Sequence, residues 1–96
     1  MGEPAEHKLI AHPWPPPPTQ GYQGFSPDSD LDWVIRTFTK RYSKKPRFIL
    51  LPEKRWYRDS GAEEPEPCYY LHDGVKITWH PENRLLLKAG PVKEKR

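Results

Sequence analysis

With one cysteine, Cys68, the chain has no means of building an internal disulfide framework, so its fold must hold by packing alone, as suits a reducing compartment. Long apolar runs are missing too. No stretch approaches the about 20 consecutive apolar residues of a membrane-spanning helix, and the start MGEPAEHKLIAHPW lacks the basic opening and apolar run of a secretory signal. A soluble, intracellular protein is expected, with no membrane contact. The sequence also holds no Gly-rich phosphate loop, no nucleophile elbow, no Cys-x-x-Cys pair and no internal repeat. Those gaps exclude the recognisable ways of cradling a cofactor or activating a nucleophile, so neither an enzymatic activity nor a cofactor is expected.

Apolar residues make up 34% of the 96, against 30% charged, so burial has to come from a few large side chains such as the four Trp and five Tyr. The net charge of +3 is only mildly basic. Its distribution says more: cations gather at Lys40 to Arg47, at Lys54 to Arg58 and in the tail Lys93 to Arg96, while Glu63, Glu64 and Glu66 form an acidic knot between prolines.

Proline is what the sequence has in excess, 13 residues. In HPWPPPPTQGYQGF, residues 12 to 25, Trp14 precedes Pro15, Pro16, Pro17 and Pro18, and Tyr22 and Phe25 follow. Stiff polyproline backbone thus alternates with large aromatic anchors, whereas a passive tether would be rich in Gly and Ser. Residues 1–25 read as an extended Pro-rich arm, 26–91 as a small domain and 92–96 as a basic tail. The arm is expected to dock, with three candidate receptors: the chain's own Trp33 face, a neighbouring copy, or a PxxP-reading domain. The protein's own assembly is preferred, because Pro15 to Pro18 lack the adjacent basic residue that many SH3 ligands carry.

The segment SPDSDLDWVIRTFTKRYSKKP predicts a helix from about residue 28 to 44, with Leu31, Val34, Ile35, Phe38 and Tyr42 on one face. Ser26 before Pro27, or Ser29 with Asp32, offers its cap, and Pro46 stops it. Asp28, Asp30 and Asp32 sit at its positive end and Lys40, Arg41, Lys44 and Lys45 at its negative end, which compensates the helix dipole. Trp33 falls opposite Leu31 and Phe38, beside Arg36, Thr37 and Lys40, so something should cover it.

Arg47 to Leu51, bracketed by prolines, reads as a central or near-central strand. Residues 52–67 read as a long surface loop, in which Lys54, Arg55, Trp56, Tyr57 and Arg58 have the composition that holds phosphates and stacks bases; the plainer alternative is that Trp56 tucks under the domain. Asp73-Gly74 predicts a two-residue hairpin in which Cys68, Tyr70, Val75, Ile77 and Trp79 share the core face. Tyr69, Leu71, Lys76 and Thr78 then share the other face, with Lys76 and Thr78 the more exposed. Leu85 to Leu87 predict a last strand ending at Gly90-Pro91. The expected fold is α+β: one amphipathic helix packed on a short, mainly antiparallel sheet in the order α-β-β-β-β, the last three strands a meander.

Cys68, His72 and His80 invite a metal site, but His72 at the hairpin turn and His80 at the far end of its second strand would lie about 20 Å apart at about 3.3 Å per residue, so no metal is expected. On a helix Asp30 is turned by about 200° from both Asp28 and Asp32, so the three cannot share an ion. Two roles remain. The preferred one is a non-enzymatic interaction or structural subunit that docks onto a larger protein assembly, or onto neighbouring copies, through Trp14, Pro15 to Pro18, Tyr22, Phe25 and Trp33. The alternative is a nucleic-acid-binding module using Arg36, Lys40, Lys44, Lys54, Arg55 and Arg58 on phosphates with Trp33 or Trp56 stacking.

Overall fold

Leu31, Val34, Ile35 and Phe38 recur at helical spacing, and all four are buried on one face of a helix. A computed structural model of the chain describes residues 8–18, 21–63 and 65–92. Its elements in chain order are β1 (Ile10–Ala11), β2 (Gln23–Phe25), α1 (Leu31–Tyr42), β3 (Phe48–Leu50), α2 (Glu53–Ser60), β4 (Cys68–His72), β5 (Val75–Thr78) and β6 (Leu87–Gly90). The fold is α+β, two helices on a six-stranded, mostly antiparallel sheet of order β1-β4-β5-β3-β6-β2. No helix among the described residues is long and apolar enough to cross a membrane.

Helix α1 is shorter than its periodicity suggested. Asp30, rather than Ser26 or Ser29, is the cap: its Oδ2 accepts from the Trp33 backbone N–H at 3.1 Å. At the other end Ser43 turns left-handed (φ 65°) and donates its N–H to the Thr39 carbonyl, so the helix closes three residues before Pro46.

One helix was expected and two are present. Residues 53–60, read as loop, form α2, which starts after Pro52 and ends at Gly61. The cause is Trp56, which is fully buried and stacks on Tyr70 at 6.0 Å. Arg55 then locks the helix in place, pairing with Asp59 at 2.9 Å one turn on and donating to the Pro27 and Ser29 carbonyls ahead of α1.

Strand β3 is central, as its apolar run suggested: Phe48, Ile49 and Leu50 are all buried. That position overturns the meander. Strand β5 pairs on one side with β4, in the expected hairpin register Tyr70↔Ile77, Leu71↔Lys76 and His72↔Val75, but on its other side it runs parallel to β3. Strand β6 is displaced to the far side of β3. A parallel neighbour demands a crossover, and α2 with β4 supplies it. The last strand also begins later than expected, at Leu87, leaving Leu85 79% exposed.

The segment read as an arm contributes the sheet's two outer strands. Ile10 and Ala11 pair with Tyr69 and Cys68 at one edge, and Gln23 to Phe25 pair with Ala89 to Leu87 at the other. Phe25 is buried in the core with α1. Between Ala11 and Gln23 the chain therefore crosses the whole sheet. Five inter-strand steps of about 4.8 Å need about 24 Å, within the reach of the 11 intervening residues at up to about 3.3 Å each.

The crossing runs over the face opposite the helices. Ile49, Ile77, Leu87 and Ala89 point into the helix-side core, so Phe48, Leu50, Thr78 and Gly90 point the other way by alternation. There the His12 ring packs edge-on against Phe48 and Tyr69, and the Tyr22 ring lies close to Gly90. Pro15 and Pro18 are buried between these two ends. The proline run is a strap. On the face it crosses stands a further correction: Thr78, expected to be exposed, is only 3% exposed and donates to the Cys68 carbonyl at 2.6 Å. A strap suits proline, which has little conformational freedom left to lose and no N–H to leave unpaired over the sheet.

Candidate functional site

Helix α1 has two ordered faces. Its core stripe leaves Trp33, Arg36, Thr37 and Lys40 on the outside, at positions i, i+3, i+4 and i+7 of one row. Trp33 is 46% exposed, and the Phe25 ring meets it edge-on at 5.8 Å. Part of the expected cover is thus supplied by the N-terminal segment, through Phe25 and not through the prolines. Beside this row a cleft of about 600 Å³ is lined by Trp33, Ile35, Arg36, Thr37, Thr39, Lys40, Lys45 and Asp73. The hairpin turn closes one end, because Lys45 donates to the Asp73 carbonyl at 2.9 Å and lies 3.4 Å from its carboxylate. At the other end of α1, His72 Nε2 meets Asp32 Oδ1 at 2.8 Å. The turn itself has the left-handed pair Asp73 (φ 55°) and Gly74 (φ 79°) that a tight hairpin requires.

Phe25 with Trp33, and Trp33 with Arg36 and Lys40, are brought together; the other residues expected to act with them are dispersed. Trp14, 39% exposed, packs on Trp79 at 5.1 Å and on His80 at 5.8 Å, at the end of β5. Pro16 and Pro17 are half-buried, and Pro16 accepts a hydrogen bond from the Tyr22 hydroxyl at 2.9 Å. Burial, partly offset by Arg47, pushes the Tyr22 phenol up to about 12. Trp56 offers no face to a base, and Arg55 is committed to Asp59 and two carbonyls. Lys44, Lys54 and Arg58 are exposed, and Arg58 pairs with Asp59 at 3.2 Å.

Cys68 lines a second cleft of about 410 Å³ with Leu9, Ala11, Gly61, Ala62, Glu63 and Glu66. Burial first, and then the Glu66 carboxylate, raise its thiol pKa, which disfavours the reactive thiolate. His80 Nδ1 accepts from the Glu82 N–H, and no group of three ligating side chains comes together among the described residues. The tail 93–96 and Glu64 lie outside the described residues.

Sequence reasoning set Thr37 beside Trp33 but missed Thr39, Lys45 and Asp73 as cleft residues. Lys45 and Asp73 are 28 apart in sequence and meet only through the hairpin. Comparison with family models, with curated proteins and with solved structures returns no match to this chain.

Proposed function

We propose that this protein is a non-enzymatic, intracellular binding subunit that docks onto a larger protein assembly through exposed aromatics, with the Trp33 face of α1 as its contact surface. The observation that carries this is a tryptophan left 46% exposed beside a cleft, on a helix whose other face is fully used by the core. Tryptophan gives more contact area than any other side chain, and where it is left open beside a concave surface it is suited to anchor a partner. Of the prolines first read as a docking arm, two are buried in the strap. The docking role therefore passes to Trp33, with Trp14 as a smaller exposed patch 39% open at the strap's start. The test is an affinity pull-down from the native source with the full chain and with Trp33→Ala. Loss of the captured proteins from the variant, at an unchanged thermal midpoint, is the expected result. Identical capture by both forms would refute the assignment.

A further inference from the structure

The cleft beside Trp33 has a chemistry that selects its occupant. Arg36 and Lys40 are exposed, and among the described residues neither forms an ion pair, whereas Lys45 is matched by Asp73 and Asp32 by His72. Two unneutralised cations thus stand one turn apart, with an indole plate one turn further along the same row, over about 10.5 Å of helix. Thr39 Oγ1, buried in the cleft wall, also has no hydrogen-bond partner among the described residues. The volume, about 600 Å³, is that of a site for a few side chains.

We infer that this cleft receives an acidic segment of a partner protein, its carboxylates on Arg36 and Lys40 and an apolar side chain on Trp33. The inference rests on the docking role proposed above and adds the partner's chemistry. Guanidinium and ammonium groups without local carboxylates pair well with carboxylates arriving from outside, and the neighbouring indole adds contact area that charge alone does not. A nucleic-acid strand fits less well. Its unbroken phosphate chain would run past Asp73 at one end of the cleft and past Asp30 and Asp32 beside Trp33, whereas a peptide places its carboxylates only where cations meet them.

The experiment titrates the isotope-labelled full chain by NMR with a decapeptide that alternates aspartate pairs with leucine. Controls are the same decapeptide with lysine for aspartate and a ten-nucleotide oligothymidine. The aspartate peptide is expected to shift the amides of residues 33–40, Lys45 and Asp73, and the lysine peptide is expected to shift none of them. The double variant Arg36→Glu with Lys40→Glu should weaken the aspartate peptide about tenfold or more, the scale of losing one charged contact at an unchanged thermal midpoint. Absence of shifts, equal shifts with the lysine peptide, or tighter binding of oligothymidine at the same amides would each overturn the inference. Should Trp33→Ala lose the native partner while the double glutamate variant keeps it, docking stands and the acidic chemistry falls; should both variants keep it, the docking role itself falls.

Discussion

The two faces of the sheet are covered by different means. On one, α1 and α2 bury a continuous apolar cluster that includes Val34, Phe38, Trp56, Ile77 and Leu87. On the other, the strap packs the His12 ring edge-on against Phe48 and Tyr69, buries Pro15 and Pro18, and is tied to itself where the Tyr22 hydroxyl donates to the Pro16 carbonyl. Arg47 and Lys76 also stand over the Phe48 ring at 5.5 and 5.7 Å, cations lying on an aromatic face. A helix brings its own satisfied backbone to a sheet. The strap's Pro13 and Pro15 to Pro18 bring no backbone donors, so that stretch can lie flat without leaving N–H groups unpaired. A chain poor in apolar residues can thereby close a second face with few of them.

The largest expected effect is on the helix side. Ile77 is fully buried at the centre of the sheet, between Tyr70 and Ile49, and Ile77→Asp places an unpaired carboxylate there. It should cost more than about 4 kcal/mol, enough to unfold a domain of this size, as read by loss of the cooperative urea transition. Retention of a cooperative transition would mean that the helix face is not the main core.

A smaller loss is expected where the strap comes closest. A Cβ added at Gly90 would stand 3.0 Å from the Gly21 carbonyl oxygen and the Val92 nitrogen, and 3.1 Å from the Tyr22 ring. These two backbones are tied, since the Val92 N–H bonds to the Gly21 carbonyl, so neither retreats freely. Gly90→Ala should cost about 1 to 3 kcal/mol by overpacking, measured by denaturant midpoint. An unchanged midpoint would show that the strap stands off the sheet.

The smallest effect compares the faces directly through one tyrosine on each. Burial raises the phenol of Tyr22, under the strap, and that of Tyr70, under the helices, both to about 12, with Asp59 adding to the rise at Tyr70. An unfolded tyrosine ionises near about 10, so between pH 10 and 12 the folded chain holds protons that the unfolded chain has released. The stabilisation is complete below pH 10 and is lost as the pH rises toward 12. Tyr70→Phe and Tyr22→Phe should each flatten that alkaline decline, and Tyr22→Phe should also cost about 1 kcal/mol at neutral pH through its lost hydrogen bond to Pro16. A decline that Tyr70→Phe flattens and Tyr22→Phe leaves intact would mean the strap face is open to water.

The sequence by itself determined the features whose causes are local. The stripe of α1, the Asp73-Gly74 hairpin with its register, and the buried β3 all follow from periods and turns spanning a few residues, and all three are present. The outward position of Trp33, and with it Arg36, Thr37 and Lys40, followed from the same helical period. What only tertiary structure decided has long-range causes. Helix α2 was hidden because its apolar face is only Trp56 and the partly buried Tyr57, and the burial of Trp56 depends on Tyr70 from a distant strand. The position of β6 beside β3 is a competition between strands for a central neighbour, which no local pattern records. The prolines were legible as a stiff aromatic-flanked segment; that it would span the sheet from β1 to β2 depended on where the two outermost strands found their edges. The burial of Thr78 and the Lys45–Asp73 closure of the cleft have the same origin, because each depends on a partner distant in sequence, the Cys68 carbonyl for Thr78 and the hairpin turn for Lys45.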